Sequence, residues 1–132
     1  MTDADTPLLP TVAFIGAGIM GRPMIANLRK AGFAVRAYDR SADAMRNLLA
    51  DGVDVADSLQ AAVAGAEVVV TMLPDTPHVQ SVLTGDEGIG NLLPKGSVVI
   101  DMSTISASGI QAIGAELATR GVDLVDAPVS GG

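Results

Sequence analysis

The run VAFIGAGIMG, Val12 to Gly21, decides the fold. Its first four residues are apolar and read as a strand buried on both faces. Gly16, Gly18 and Gly21 follow in G-x-G-x-x-G spacing. A helical pattern then begins at Ile19, with Met20, Met24, Ile25 and Leu28 on one stripe and Gly32 as its stop. The glycine spacing alone is a weak signal. It gains meaning because it follows a strand and opens a helix. In that setting Gly16 permits a tight turn, Gly18 lets a pyrophosphate approach the backbone, and Gly21 lets the helix pack against the sheet. With Ala17 inside the turn, the free N–H groups of Ile19 and Met20 face the phosphates at the positive end of the helix. Pro23 lies near the first turn, where a missing N–H does little harm. The bland alternative is a glycine-rich turn without a ligand.

Outward from this run, strands and helices alternate. Apolar β-type runs occupy residues 34–39, 53–56, 67–73, 97–101 and 122–127, after the first at 11–15. Helical patterns fill the intervals, at 42–52 behind Ser41, at about 58–64, at 77–84 and at 107–121, with a glycine-rich loop at 85–91. Such alternation means parallel βαβ units. Right-handed crossovers wind them into an α/β fold: a doubly wound parallel Rossmann sheet of six strands, order 3-2-1-4-5-6, with helices on both faces. Residues 11–132 form one dinucleotide-binding domain behind a short mobile tail, 1–10.

Composition narrows the partners. The chain is 48% hydrophobic and 17% charged, as a globular domain is. Aromatics are only 2%, so the core is built from Val, Ile, Leu, Ala and Met. A net charge of −7 argues against nucleic acid and anionic membrane surfaces, which need clustered Lys and Arg. Local helix N-termini still allow an anionic ligand. With no Cys, disulfides and thiolate chemistry are excluded. The start has neither the basic nor the apolar region of a secretory signal, and no apolar run approaches a membrane span. A cytoplasmic location is the expectation, and no metal site is expected.

Ligands of doubly wound sheets lie beyond the carboxyl ends of the strands. Asp39 ends the second strand, 23 residues after Gly16. Its carboxylate suits the adenosine ribose hydroxyls and repels a 2′-phosphate, favouring NAD over NADP. Arg40 and Ser41 pull the other way, since both suit a 2′-phosphate. Arg40 can instead stack on adenine, and Ser41 can cap the next helix. After the fourth strand, Leu73 and Pro74 offer a flat apolar wall, or Pro74 merely stops the strand while Thr76 caps the following helix. His78, the only histidine, sits in the first turn of that helix, as a solvated residue or, less simply, a catalyst. After the fifth strand, Thr104 can reach the nicotinamide ribose or substrate, or it and Ser106 can be caps. After the sixth, Ser130 offers a hydroxyl, and Gly131 and Gly132 offer N–H groups for a carboxylate. The rival reading of the glycine turn is an S-adenosylmethionine-dependent methyltransferase; Gly21, on the helix, fits a pyrophosphate better.

The segments FIGAGIMGRPMIANLRKAGFAV, TMLPDTPHV, IDMSTIS and DAPVSGG resemble the β-hydroxyacid dehydrogenase family, which includes 3-hydroxyisobutyrate dehydrogenase and tartronate semialdehyde (2-hydroxy-3-oxopropionate) reductase. The resemblance runs from Val12 to the end. YDRS and MLPDTPHV resemble the reductase branch more closely. The resemblance implies a hydride-transferring oxidoreductase using NAD(P)(H) on a small hydroxyacid, typically a homo-oligomer. It makes Leu73, Pro74, His78 and Thr104 cofactor neighbours, and Ser130, Gly131 and Gly132 substrate-carboxylate binders. In the family an all-helical domain follows, carrying a catalytic lysine and a nearby asparagine. Neither lies in these 132 residues, whose two lysines, Lys30 and Lys95, fall at the opposite edge of the sheet. The expectation is therefore a chain cut at a domain boundary, without a catalytic residue, that binds dinucleotide but hardly turns over. A second expectation is a non-catalytic binding module, since the family has a chromatin-associated member.

Overall fold

A computed structural model describes residues 9–129. Six parallel strands form one sheet: β1 (Val12–Ile15), β2 (Val35–Tyr38), β3 (Asp54–Val55), β4 (Val68–Thr71), β5 (Val98–Asp101) and β6 (Asp123–Asp126). Their spatial order is β3-β2-β1-β4-β5-β6. Between them run α1 (Gly21–Lys30), α2 (Ala42–Ala50), α3 (Leu59–Val63), α4 (Thr76–Thr84) and α5 (Ala107–Ala118). This is the doubly wound Rossmann arrangement expected from the alternation of elements.

The central strands β1, β4 and β5 present alternate side chains to two different cores. Ala13, Ile15, Val69 and Val99 face α3, α4 and α5, where Val79, Leu83, Ile113 and Leu117 meet them. Val12, Phe14 and Val70 face α1 and α2, where Ile25 and Leu48 meet them. Ile25 and Leu48 are wholly buried, each contributing about 1.5–3 kcal/mol through removal from water. Central β1 is buried at all four residues, whereas β6 at the edge exposes both of its aspartates. Among the described residues no helix is long and apolar enough to cross a membrane.

Several element ends fall elsewhere than the residue pattern predicts. Residues 16–20 go into the turn, so α1 begins at Gly21 rather than Ile19. Met20 becomes its N-cap, 44% exposed, and leaves the buried stripe. β3 keeps only two residues, because it pairs with β2 alone. The glycine-rich loop contains a 3-10 turn, Ile89–Asn91, whose Ile89 is fully buried beside Leu83 and Val79. Asp75, not Thr76, caps α4. Residues 1–8 of the expected tail lie outside the described residues.

Candidate cofactor cleft

The carboxyl ends of β1, β2 and β4 meet at the glycine turn. Three glycines do three different things there. Gly16 has φ +97°, and a Cβ on it would run into the carbonyl oxygen of Met72. Its N–H donates to the Tyr38 carbonyl at 2.9 Å, which ties the turn to β2. A Cβ on Gly21 would stand 2.5 Å from the Gly16 carbonyl oxygen and 3.2 Å from the Phe14 ring. Both of these glycines are demanded by the protein itself. Gly18 is not: a Cβ there would meet nothing within 4 Å. The bare backbone at that position lies open to approach from outside. Among the described residues the N–H groups of Ile19 and Met20 have no acceptor, as the first groups of a helix do not. Ile19 is 93% exposed. The turn thus fits a pyrophosphate by both space and free donors.

Asp39 is tied into this turn. Its Oδ2 accepts the Ala17 N–H at 2.8 Å, and its Oδ1 accepts the Ser41 N–H at 2.7 Å. The carboxylate therefore joins the glycine turn to the turn after β2. Each oxygen retains a lone pair for a further donor. Ser41 caps α2, its Oγ accepting the Ala44 N–H at 3.3 Å.

A cleft of about 410 Å³ opens beside these groups. It brings together Gly16, Asp39, Arg40, Leu73, Pro74 and His78 from three strand ends. Ala17 is buried under the turn, Gly18, Ile19 and Met20 stand exposed above it, and Gly21 is buried at the helix start. Thr104 is exposed in the loop after β5 and does not line the cleft. Ser130, Gly131 and Gly132 lie outside the described residues. Tyr38 and Leu59 also line the cleft and were not singled out by the sequence.

His78 is one-third exposed, and its Nδ1 lies 2.8 Å from Asp75 Oδ1. The same oxygen accepts the His78 backbone N–H at 3.0 Å. The side-chain bond to His78, then its backbone N–H, holds the Asp75 carboxyl below the ordinary carboxylate value; Arg40 adds a smaller pull. His78 is thus oriented by the cap rather than left free in solvent.

One cluster escaped the sequence reading altogether. Thr71 and Asp101 are fully buried at the ends of β4 and β5, and paired in register. The Thr71 hydroxyl donates to Asp101 Oδ1 at 2.8 Å. Asp101 Oδ1 also accepts the Ser103 N–H at 3.3 Å, and Ser103 Oγ accepts the Leu73 N–H at 2.8 Å. A signal existed: a hydroxyl and a carboxylate end two apolar strands that the fold places side by side.

A larger groove of about 700 Å³ lies between α1 and the end of α2, among Arg22, Arg29, Lys30 and Asp51. Two of its cations are already engaged. Arg22 grips Asp51 with two bonds of 2.6 and 2.7 Å. Arg29 donates to the carbonyls of Asp51 and Gly52, which closes the end of α2. Lys30 ends α1 and Lys95 precedes β5, so both sit at the amino edge, away from the cleft.

Residues 11–132 match the family described as the NAD binding domain of 6-phosphogluconate dehydrogenase. The chain is 41% identical over 121 residues to the NAD-dependent L-serine dehydrogenase of Pseudomonas aeruginosa, covering 92% of this chain and 41% of that protein. It is 42% identical over 121 residues to the 3-hydroxyisobutyrate dehydrogenase of the same organism, with the same coverage. The structure of Mycobacterium tuberculosis 3-hydroxyisobutyrate dehydrogenase, described with L-serine, superposes with a TM-score of 0.88 at 40% identity, over 95% of this chain and 42% of that one. The chain spans about two-fifths of the length of these relatives.

Proposed function

The chain belongs to the family of the NAD binding domain of 6-phosphogluconate dehydrogenase, and on that premise we propose that it is the cofactor half of an oxidoreductase acting on a small β-hydroxyacid. The observation that carries the reading is Gly18. Nothing in the protein needs a glycine there, yet a pyrophosphate lying on the Ile19 and Met20 N–H groups does. Gly16, Ala17 and Gly21 shape that turn. Asp39 holds the turn from below and offers its remaining lone pairs to the adenosine ribose, which favours NAD over NADP. Arg40 lies at the cleft mouth for stacking on the adenine. Leu73 and Pro74 supply the apolar wall of the cleft, His78 its rim, and Thr104 a hydroxyl beyond it.

When bound, the nicotinamide supplies the hydride chemistry; the chain's own part is binding and orientation. The substrate class is a small β-hydroxyacid, its carboxylate carbon two bonds from the reacting carbinol carbon. Ser130, Gly131 and Gly132 are proposed to hold that carboxylate. YDRS and MLPDTPHV favour 2-hydroxy-3-oxopropionate as the oxidised substrate. 3-Hydroxyisobutyrate, the substrate in the names of two of these relatives, is the alternative.

The 132-residue polypeptide by itself is proposed to bind dinucleotide with little turnover. Its lysines lie at the amino edge, too far from the cleft to act as acid or base there. A positioned acid–base group is worth about 10²–10⁴-fold in rate. The test is thermal stability with NADH or S-adenosylmethionine, followed by a turnover assay with 2-hydroxy-3-oxopropionate. Stabilisation by NADH alone, with negligible turnover, is expected. Stabilisation by S-adenosylmethionine alone overturns the cofactor reading, and rapid turnover overturns the inactive-half reading.

A further inference from the structure

We propose that Asp101 and Ser103 are positioning residues for the cofactor, acting through Leu73; the inference rests on the cleft being the dinucleotide site. Beyond Thr71 the ladder between β4 and β1 ends, its last bond being Met72 N–H to the Ile15 carbonyl. Leu73 N–H, one residue on, faces the other neighbour, β5, whose pairing ends with Met102 N–H donating to the Thr71 carbonyl at 2.8 Å, so it meets the segment after β5. Ser103 Oγ accepts it at 2.8 Å. Ser103 is 2% exposed, so water is a poor substitute for that hydroxyl. Its own backbone is held by Asp101 Oδ1, which also takes the Thr71 hydroxyl. The chain of contacts runs from the end of β4, through β5, and back to the first residue of the cleft wall.

The chemistry of Asp101 favours positioning over simple packing. Asp101 is fully buried and its Oδ2 has no hydrogen-bond partner among the described residues. A carboxylate there is costly unless it is hydrogen-bonded, and only one of its two oxygens is. The oxygen used is Oδ1, and what it fixes is the loop that carries Ser103. A second tie joins the same two loops further out, where Thr76 Oγ1 accepts the Ser106 N–H at 3.2 Å. Leu73 and Pro74 line the cleft with Asp39 and Arg40, so loosening the brace moves the wall against which the dinucleotide would rest.

The roles of the two oxygens set the pattern of variants. Asp101→Asn keeps one acceptor oxygen for Thr71 and Ser103 and changes only the unpartnered side, so it is the conservative rescue. Asp101→Ala and Ser103→Ala break the brace. The experiment measures NADH affinity by fluorescence titration at 25 °C, alongside urea unfolding, for the unsubstituted chain and each variant. Ser103→Ala and Asp101→Ala are expected to bind NADH about tenfold more weakly while still folded at that temperature, with Asp101→Asn within about threefold of the unsubstituted chain. If either alanine variant does not fold, Thr71→Val, which keeps the volume and removes one donor to Asp101, carries the test with an expected weakening of about threefold. Lower urea midpoints with unchanged NADH affinity overturn the positioning role and leave a structural one. Failure of the unsubstituted chain to bind NADH overturns the cofactor reading itself, a result separable from the first.

Discussion

Exchange of Gly18 for alanine separates what the fold needs from what a ligand needs. A Cβ at Gly18 meets nothing within 4 Å, and its φ lies outside the left-handed range. The substitution is therefore expected to leave folding intact, or to stabilise it by about 0.4–1 kcal/mol through the unfolded chain. Binding is another matter. The methyl occupies the approach to the Ile19 and Met20 N–H groups, and loss of one hydrogen bond to a charged phosphate costs about 1.5–3 kcal/mol. That corresponds to roughly ten- to a hundredfold weaker NADH binding. Gly16→Ala is the contrasting control. At φ +97° with the Met72 carbonyl in the way, it incurs about 1–2 kcal/mol of backbone strain and about 1–3 kcal/mol of overpacking. Against a typical total stability of about 5–15 kcal/mol, that is a large loss. Isothermal titration with NADH and urea unfolding on the same samples read both effects. If Gly18→Ala binds NADH as tightly as the unsubstituted chain, the glycine turn is not a phosphate cradle.

Three further outcomes are expected. Asp39→Ala leaves the Ala17 and Ser41 N–H groups without their acceptor, and urea unfolding should show a loss of about 1–2 kcal/mol; an unchanged midpoint contradicts the latch. Asp75→Asn removes the charge facing His78 and should lower the urea midpoint at neutral pH. Because the Asp75 carboxyl is held below its ordinary 3.8 in the fold, that stabilisation is fully present above 3.8 and is lost as pH falls through the lowered folded value. The gap between variant and unsubstituted chain should therefore close in acid; a gap that persists there refutes the linkage. Lys30→Ala and Lys95→Ala should leave NADH affinity unchanged in a fluorescence titration, since both residues lie at the amino edge; a large loss from either would refute their placement away from the site.

The strand order was legible because parallel alternation leaves few topologies, and the runs AFI, VVV and VVI could only be buried strands. The ends of elements were less so. Ile19 and Met20 look helical by spacing, but a turn at Gly16 consumes residues that periodicity assigns to the helix. Asp75 and Thr76 are both good caps by residue type, and the structure chooses Asp75, whose backbone is extended and whose Oδ1 accepts the His78 N–H. Gly16, Asp39 and Leu73 were legible because each lies just past a strand end, and His78 because it lies in the first turn of the helix after one. The Thr71–Asp101–Ser103 brace was not, because its members lie 30 residues apart and depend on the register between β4 and β5. Asp101 read on its own is just the polar end of a strand.

Amide chemical-shift mapping of the ¹⁵N-labelled chain during an NADH titration tests the cofactor site most directly. Saturable shifts should concentrate at Gly16 to Gly21, at Asp39 to Ser41 and at Leu73, around the cleft and the turn. Shifts confined to the Arg22–Asp51 groove, or no shifts at all, would contradict the assignment of the glycine turn as the dinucleotide site.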